Sequence, residues 1–438
     1  MSFGWCGQLL FVDLTRGVVT RESLDPQAMK DAIGARGLAT ELYLRNVAVD
    51  ADAENEHNAL VFAASPLTGT LMPNGGHYSV VTRTASGLVH ANLGGAWGPQ
   101  LKYAGFDAVI VRGKASGPVY LWIHDGEAEL RDALELWGQG TTASVSALRE
   151  ATDEKARVCC IGPAGEHGLS MAALVTDALG SAAAPGMAAL LGRKFLKAIV
   201  VRGTHGIRLA KAAEFMSATQ ELRKRSARTM LHAKGARLNG PVFQVTSLEE
   251  DANALPSEGL RPRGCFGCAA IFSTFTDQLT GETLASFGRD SLPHINRARL
   301  LEYHAFTDLG LDYVRAKACL AHVERKEGED EFDLAVRLAH GQLNGAATEE
   351  SVAQGAAGGC AVGGFVLVPA LKTTSIGQEN GVDAAALAAA ESAGCCPFAA
   401  AAMPPEEIAH ILTSATGIEY SPEDVLRAGR RLATATGK

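Results

Sequence analysis

The feature that most constrains this chain is the grouping of its glycines into short clusters that follow apolar, strand-like runs. Three such clusters lie in the first half of the chain, over residues 65–78, 91–98 and 162–166. Glycine after a strand allows a tight turn and lets backbone N–H groups come close to an anion. The clusters therefore fit either ordinary turns of a β-rich domain or a binding loop for a phosphate-bearing ligand.

The pattern of apolar residues divides the chain into two regions. Short runs rich in β-branched residues predict strands at 8–14, 59–64, 78–83, 108–112, 119–124, 157–161 and 198–202. Helical spacing interrupts them at 25–44, 141–150 and 187–196, and it dominates the sequence beyond residue 207.

We therefore expect an α+β fold. Residues 1–206 would form a β-rich N-terminal domain of two sheets with helices, and residues 207–438 a mainly α-helical region. A glycine-rich connection over 345–364 would separate two helical subdomains, 207–345 and 365–438.

Charge and composition exclude several classes of protein. The chain has 40 Lys and Arg against 48 Asp and Glu, a net charge of −8, whereas a nucleic-acid-binding domain normally has a basic face. It has no apolar run of about 18 residues, so we expect no membrane span. The first residues lack the basic and apolar regions of a secretory signal, so we expect a cytoplasmic protein. The P-loop, HExxH, GxSxG and GxGxxG motifs do not occur.

The nine cysteines suggest a metal site. In a reducing cytoplasm, cysteines are thiols or metal ligands rather than disulfides. The adjacent Cys159 and Cys160 lie in an apolar run and are expected in the core. The Cys-Phe-Gly-Cys segment at 265–268 and the pair at 395–396 are different, because neighbouring glycines leave room for an inorganic ligand.

Taken in order, several segments resemble the N-terminal domain of the tungsten-dependent aldehyde:ferredoxin oxidoreductase family. They are GQLLFVDLTRG (7–17), GARGLA (34–39), PLTGT (66–70), LKYAGFDA (101–108) and IGPAGE (161–166). The resemblance covers residues 4–203 almost without gaps and resumes over 260–325 and 385–433.

The resemblance implies a tungsten or molybdenum bis-pterin cofactor, with magnesium-bridged phosphates, beside a four-iron Fe–S cluster. It also implies the two-electron oxidation of an aldehyde-like substrate. The electrons would pass to a ferredoxin-like acceptor or to a redox partner subunit, in a homo- or hetero-oligomer.

In that family each pterin is bound by a hexapeptide of the form Asp-x-x-Gly-Leu-(Cys/Asp), whose carboxylate accepts hydrogen bonds from pterin N–H groups. The matching segments here are 307–312, which begins with Thr, and 391–396, which begins with Glu. Without the resemblance, the first of these reads as a helix end with a glycine cap. The family's Asn-x-Gly-Gly phosphate contact is present at 92–95, where it would contact the phosphates. The implied cofactor-binding residues are Asn92, Gly94, Gly95, Asp308, Gly310, Leu311, Asp312, Glu391, Gly394 and Cys395.

The family's cluster motif is Cys-x-x-Cys-x-x-x-Cys plus a distant cysteine. Cys265, Cys268 and Cys396 match three of these positions, and Phe272 stands at the remaining one. A four-iron cluster normally takes four thiolates, so Cys360 or Cys395 would have to be the fourth ligand. A zinc site at the same cysteines and a set of unliganded thiols are the alternatives.

Other departures concern catalysis. His77 stands where the family has an arginine between cluster and pterin, and residues 183–186 lack the arginine of a second phosphate loop. Aldehyde oxidation needs a proton acceptor near the metal, for which His77 and His294 are the candidates. A second hypothesis is therefore a catalytically degenerate paralogue that acts as a structural or regulatory subunit of a redox complex.

Overall fold

The computed structural model describes most of the N-terminal region and separate parts of the C-terminal region. The described residues are 3–47, 56–85, 87–176, 180–182, 186–232, 260–263, 266–267, 273–276, 283–285, 305–312, 316, 319–320, 323, 329, 331–343, 360–362, 365–366, 384–395 and 403–435. Two mixed sheets with helices are followed by a mainly helical region. The predicted α+β fold is confirmed.

Eight described strands form the first sheet. They are β1 (Gln8–Asp13), β2 (Val18–Ser23), β3 (Leu60–Ala64), β4 (Tyr78–Thr84), β5 (Gly87–Leu93), β6 (Ala108–Arg112), β16 (Cys360–Val362) and β17 (Phe365–Val366). Their order is β17-β16-β5-β4-β3-β6-β1-β2. The β1–β6 and β5–β16 pairs are parallel and the other neighbours are antiparallel. Helices and the second sheet cover both faces, which explains why β3 is buried at every position.

The second sheet contains six described strands. They are β7 (Val119–His124), β8 (Glu127–Asp132), β9 (Arg157–Cys160), β10 (Leu174–Thr176), β11 (Gly180–Ala182) and β12 (Leu196–Arg202). Their order is β11-β10-β9-β12-β7-β8, with β12 and β7 parallel. A separate antiparallel sheet lies in the C-terminal region and consists of β13 (Leu260–Arg263), β14 (Ser273–Thr276) and β15 (Thr283–Ala285).

Helices connect and cover the sheets. The N-terminal region has α1 (Pro26–Ala32), α2 (Ala35–Asn46), α3 (Trp97–Tyr103), α4 (Thr141–Ala151), α5 (Pro163–Glu166) and α6 (Met187–Arg193). The C-terminal region has α7 (Ala212–His232), α8 (Glu331–Ala339), α9 (Ala384–Ser392), α10 (Pro405–Thr416) and α11 (Pro422–Ala435). A further helical turn spans residues 305–308. In the described parts of the chain, no helix is both long enough and apolar enough to cross a membrane.

The expected single helix over 25–44 is wrong in one respect, because it is broken at Gly34. Ile33 and Gly34 have φ angles of 66° and 148°. A Cβ on Gly34 would lie 2.7 Å from the Cα of Ser65, so only glycine fits where these two segments cross. The break sets the position and direction of α2, which carries Arg36 near its first turn.

The two faces of the first sheet have different neighbours. Trp97 packs on Tyr78 at a centroid distance of 4.5 Å and donates to the carbonyl of Ile199 at 3.0 Å, so this face meets the second sheet. On the other face, Val81 packs with Leu38 of α2. Residues paired across antiparallel strands share a face.

That pairing also places His90 and Asn92 in the layer under α2. His90 pairs with Val81, which packs against α2, and Asn92 pairs with Ser79, two residues from Val81 along β4. Side chains two residues apart on a strand point to the same face.

Part of the expected glycine-rich connection is a strand. Residues 360–362 form β16, in which Cys360 pairs with Asn92 and Ala361 with Leu93. The first sheet thus takes two strands, β16 and the edge strand β17, from the C-terminal region, a feature that the sequence pattern did not predict. The division into 1–206, 207–345 and 365–438 stays a prediction.

Candidate cofactor site

The segment 307–312 is a glycine-terminated helix end. Gly310 has a φ of 72° and its N–H donates to the carbonyl of Thr307 at 2.9 Å. The N–H of Leu311 donates to the carbonyl of Phe306 at 2.9 Å. These two bonds define a Schellman cap, in which a left-handed residue closes the helix.

The segment 391–396 has the same geometry where it is described. Gly394 has a φ of 80° and donates to the carbonyl of Glu391 at 3.0 Å, and Cys395 donates to the carbonyl of Ala390 at 3.0 Å. The spacing Thr/Glu-x-x-Gly thus produces two equivalent caps, and Thr307 and Glu391 occupy corresponding positions in them.

The first cap docks on the N-terminal part of α5, beside the second sheet. Ala164 donates to the carbonyl of Leu309 at 3.0 Å, and Ala173 donates to that of Gly310 at 2.9 Å. A Cβ on Gly162 would lie 2.6 Å from the nitrogen of Gly310, so the two glycines touch. The third glycine cluster of the sequence is therefore a contact for this segment.

Asp308 and Asp312 differ in environment. An oxygen of Asp308 accepts the N–H of Thr142 at 2.7 Å, in the first turn of α4, where a carboxylate is favoured by the helix dipole. Asp312 is mostly buried, and its N–H donates to the carbonyl of Met171 at 3.0 Å. The Thr307 hydroxyl oxygen is buried and has no hydrogen-bond partner within the described residues.

The second cap docks where α2 begins and where the first glycine cluster turns. Ser65 Oγ donates to the carbonyl of Ala393 at 2.8 Å, and the N–H of Gly37 donates to Ser392 Oγ at 3.1 Å. A Cβ on Gly394 would lie 2.2 Å from Ser65 Oγ. The second cap thus anchors the end of α9 at the first sheet, whereas the first cap docks beside the second sheet.

Glu391 forms a buried ion pair with Arg36. The Arg36 Nη1 donates to Glu391 Oε2 at 2.6 Å, and the side chains are 2% and 7% exposed. His90 Nε2 lies 3.8 Å from the same carboxylate oxygen. Burial, with a contribution from the positive charge of Arg36, lowers the pKa of His90 well below 6.5, so the imidazole is neutral at pH 7. Arg36 Nη2 is buried and has no acceptor in the described part of the chain.

The Asn-x-Gly-Gly loop follows β5. Ser79 Oγ donates to Asn92 Oδ1 at 2.6 Å, which fixes the orientation of the amide. Gly95 has a φ of 90°, and its carbonyl accepts the N–H of Phe266 at 3.0 Å. Gly94 lies between Asn92 and Gly95, directly after the end of β5.

Phe266 and Gly267 are the middle residues of the Cys-x-x-Cys segment, and they lie against two glycine clusters. Phe266 bonds to Gly95, and the carbonyl of Gly267 accepts the N–H of Asn74 at 2.9 Å. Cys265, Cys268, Cys396 and His294 lie outside the described residues, as do residues 183–185.

His77 lies at the same corner of the first sheet. It is 3% exposed, and within the described ranges its Nδ1 has no hydrogen-bond partner. Burial lowers the pKa of His77 to about 4, so the ring is neutral. Its carbonyl accepts the Thr68 hydroxyl at 2.8 Å, and Thr68 is part of the turn that contacts Gly394.

Burial raises the pKa of the Cys395 thiol to about 12. Cys159 and Cys160 are fully buried core residues, as predicted. Among the residues that the structure describes, no group of three or more His, Cys, Asp or Glu side chains could hold a metal ion.

Comparison with known proteins identifies the N-terminal domain. Residues 9–203 match the family model of the aldehyde ferredoxin oxidoreductase N-terminal domain. Residues 9–203 are thus a domain of the aldehyde ferredoxin oxidoreductase N-terminal type. The match ends at the end of β12, so it covers the second sheet and the first sheet except β16 and β17, and none of the C-terminal segments that dock on them.

Two curated relatives illustrate the similarity. A tungsten-containing aldehyde ferredoxin oxidoreductase of Pyrococcus abyssi is 39% identical over 222 residues, 50% of this chain and 37% of the relative. The WOR-like subunit of an aliphatic sulfonate oxidoreductase of Pyrococcus furiosus is 33% identical over 220 residues, 46% of this chain and 35% of the relative. The chain therefore spans less than two-fifths of the length of these relatives.

One solved structure extends the similarity of fold to the whole chain. The active site complex BamBC of benzoyl coenzyme A reductase, in complex with 1,5-dienoyl-CoA, superposes with a TM-score of 0.76. The match covers 100% of this chain and 89% of that chain at 18% sequence identity. This likeness shows that the two proteins share a fold.

The aldehyde ferredoxin oxidoreductase family implies a pterin cofactor, and the described residues fit such a group. Arg36 Nη2, His77 Nδ1 and the Thr307 hydroxyl are buried and lack partners within the described chain. Buried polar groups are nearly always hydrogen-bonded, and a pterin ring offers both donors and acceptors. Thr307 belongs to the first cap, and Arg36 contacts Glu391 of the second cap. Each cap therefore has a polar atom available to a ligand.

The sequence identified the two caps but not their partners. Arg36, Ser65 and His90 were not among the predicted site residues. A signal for Arg36 was present, because it stands between Gly34 and Gly37 in the segment 34–39 that carries part of the resemblance. Its carboxylate partner lies too far along the chain to be recognised from spacing.

Proposed function

We propose that this chain is a redox subunit that binds a tungsten- or molybdenum-bispterin and takes part in the two-electron oxidation of an aldehyde-like substrate. The observation that carries the proposal is the pair of equivalent glycine caps, one docked beside each sheet and each next to a buried polar atom without a partner among the described residues. The reaction converts an aldehyde and water to a carboxylic acid, two protons and two electrons.

The pterin-bound metal would supply the oxygen-transfer and redox chemistry. On the protein side, Thr307, Asp308, Gly310, Leu311 and Asp312 would bind one pterin. The second cap, with Glu391, Gly394 and Cys395, would bind the other. Asn92, Gly94 and Gly95 would contact the phosphates and their magnesium ion.

Electrons would leave through an Fe–S cluster at Cys265, Cys268 and Cys396. The positions of Phe266 and Gly267 support this assignment, since they bring the Cys-x-x-Cys segment to the Asn-x-Gly-Gly loop. Zinc at the same cysteines is the alternative. The acceptor would be ferredoxin-like or a partner subunit in an oligomer, which is supported by the similarity to the WOR-like subunit of an aliphatic sulfonate oxidoreductase.

Of the two candidates for the proton acceptor, His77 is the one that lies within the described residues. Its ring is neutral and its Nδ1 lacks a partner in the described structure, so a nitrogen is available to accept a proton. Burial makes this nitrogen a weak base in the structure as it stands. His294 is the other candidate.

A structural or regulatory subunit is the second candidate function. It is favoured by Thr307, which places a neutral hydroxyl where the family has a carboxylate, and by Asp308, whose oxygen is already bonded at the start of α4. A weakened first pterin site would leave the chain with the fold of an oxidoreductase but without its turnover.

Metal and pterin analysis of anaerobically purified protein separates the two. The oxidoreductase proposal expects stoichiometric tungsten or molybdenum, pterin, and iron with broad visible absorbance. Well-folded protein without these groups would favour the structural subunit.

The cysteine assignment has its own test. Cys396→Ser should release iron or zinc, while the matched core variant Cys159→Ser should retain it. Equal metal loss from both variants, or none from either, would reject Cys396 as a ligand.

A further inference from the structure

Arg36 is the most strongly buried cation near the second cap, and only part of its guanidinium is bonded. The side chain is 2% exposed, and Nη1 donates to Glu391 Oε2 at 2.6 Å. Nη2 is also buried and finds no acceptor in the described residues. A buried donor on a charged group is costly to leave unpaired, so this nitrogen calls for an acceptor from outside the described chain.

Glu391 holds the guanidinium in place. The Ser65 and Gly37 hydrogen bonds fix the backbone of its cap, which places the Glu391 side chain beside Arg36. His90 lies 3.8 Å from the same oxygen but is neutral, so Arg36 supplies the positive charge that compensates this carboxylate. The bond to Arg36 thus uses part of the acceptor capacity of this carboxylate.

The location of Arg36 matches the phosphate loop. His90 and Asn92 are two residues apart on β5 and lie on the face that α2 covers, with Arg36 in the first turn of that helix. Arg36 and Asn92 therefore lie on the same side of the first sheet.

We propose that Arg36 binds the pterin at the second cap, with Nη2 donating to an acceptor of the ring, and that Glu391 is a positioning residue for Arg36. This inference rests on the proposed function. It changes the role of Glu391, which the sequence alone indicated as the direct pterin contact. Arginine suits this role because its planar fork can bond a carboxylate and a ring acceptor together.

The test compares cofactor retention in four variants purified anaerobically. Arg36→Met removes the donor at similar size, and Arg36→Lys keeps the charge but not the fork. Glu391→Gln leaves Arg36 in place without its anionic partner. Lys102→Met is the control, because it breaks a different buried ion pair, with Asp107, in which neither Arg36 nor Glu391 takes part. The measurements are tungsten and molybdenum per chain, pterin fluorescence after oxidative release, and thermal unfolding.

We expect Arg36→Met to lose metal and pterin during dialysis on the order of 10- to 100-fold faster than the wild type, as for one lost charge-assisted hydrogen bond. Because both pterins share one metal, the whole group should leave. Arg36→Lys should lie between the two, and Glu391→Gln should show a smaller acceleration than Arg36→Met. Lys102→Met should lower the unfolding temperature without changing retention by the folded protein.

Unchanged retention in both Arg36 variants of a cofactor-loaded protein overturns the role of Arg36 and leaves the proposed function standing. Equal loss in Lys102→Met also overturns it, since retention would then follow stability alone. A folded wild-type protein that contains no pterin overturns both the inference and the proposed function. If Arg36→Met does not fold, the comparison of Arg36→Lys with Lys102→Met decides.

Discussion

The hydroxyl of Ser65 and the carbonyl of Ala393 are joined by a buried 2.8 Å hydrogen bond across 328 positions of sequence. The same oxygen also accepts the N–H groups of Leu67 and Thr68, each at 3.1 Å. One side chain therefore shapes the first glycine-rich turn and binds the second cap to it. The turn and the cap depend on each other for their positions.

Ser65→Ala should destabilise the protein by about 1–3 kcal/mol, because two buried N–H groups and one buried carbonyl lose a partner. Urea unfolding measures the change. Thr204→Ala is the matched control, since it removes an exposed hydroxyl that bonds to Asp125 and should cost less than about 0.5 kcal/mol. Similar losses in the two variants would contradict the role of Ser65.

The cap glycines should be intolerant of any side chain. Gly394→Ala puts a Cβ at 2.2 Å from Ser65 Oγ in addition to requiring a φ of 80°, so we expect a loss of about 3 kcal/mol or more. Gly17→Ala shares the left-handed backbone, with a φ of 64°, but no atom of the described chain lies within 4 Å of its Cβ. It should cost only about 1 kcal/mol. Thermal unfolding of both variants makes the comparison, and equal losses would mean that the close contact is absent.

Lys102 and Asp107 form an ion pair in which both side chains are completely buried. Burial, the largest single effect, would lower the pKa of Lys102, but the charges of Asp107 and Cys6 and the hydrogen bonds to both together outweigh it, and the net shift is upward. Lys102→Met should therefore cost about 3–5 kcal/mol, because it leaves a buried carboxylate without its cation.

The double variant Lys102→Met/Asp107→Leu should recover part of that loss. Recovery is incomplete because Asp107 also accepts the N–H groups of Cys6 and Gly7, at 3.1 and 2.6 Å. Denaturant unfolding of the four members of this double-mutant cycle measures the coupling. Simple additivity of the two single losses would show that the charges do not compensate each other.

His77 should make the protein sensitive to acid. Its pKa is about 4 in the folded protein against 6.5 for an ordinary histidine, because burial disfavours the charged ring. Between these values the unfolded chain binds a proton that the folded chain does not, so stability is full above pH 6.5 and falls towards pH 4. The loss is about 3 kcal/mol at and below pH 4.

His77→Gln should remove this part of the pH dependence. Free energies of unfolding at pH 7, 6, 5 and 4 provide the measurement. His90 has a pKa shifted in the same direction, so the variant should retain some acid sensitivity. Identical pH profiles for the wild type and His77→Gln would contradict the shift at His77.

Local patterns predicted much of the fold. Strands such as β6 and β7 appear at the predicted residues, because a β-branched run between turn residues carries its own signal. The break at Gly34 was not predictable, since its cause is the approach of Ser65 from another part of the chain. The strand at 360–362 was missed for the same reason: its short sequence becomes a strand only through pairing with β5.

The site divides in the same way. The glycine caps at Gly310 and Gly394 follow from local spacing, and a helix end with a glycine cap was one interpretation of the first segment. The buried pair of Arg36 and Glu391 joins residues 355 positions apart, so no local pattern could reveal it. Local sequence patterns therefore predicted the main-chain caps of the site but not the buried ion pair that the fold brings together.

The pairing of β5 with β16 also has a consequence for biosynthesis. The outer edge of β5 has no backbone partner at Asn92 and Leu93 until Cys360 and Ala361 have left the ribosome. An open strand edge can recruit a strand from another molecule, and contacts this distant in sequence form slowly. The nascent N-terminal domain therefore exposes this short strand edge until the C-terminal region has been synthesised.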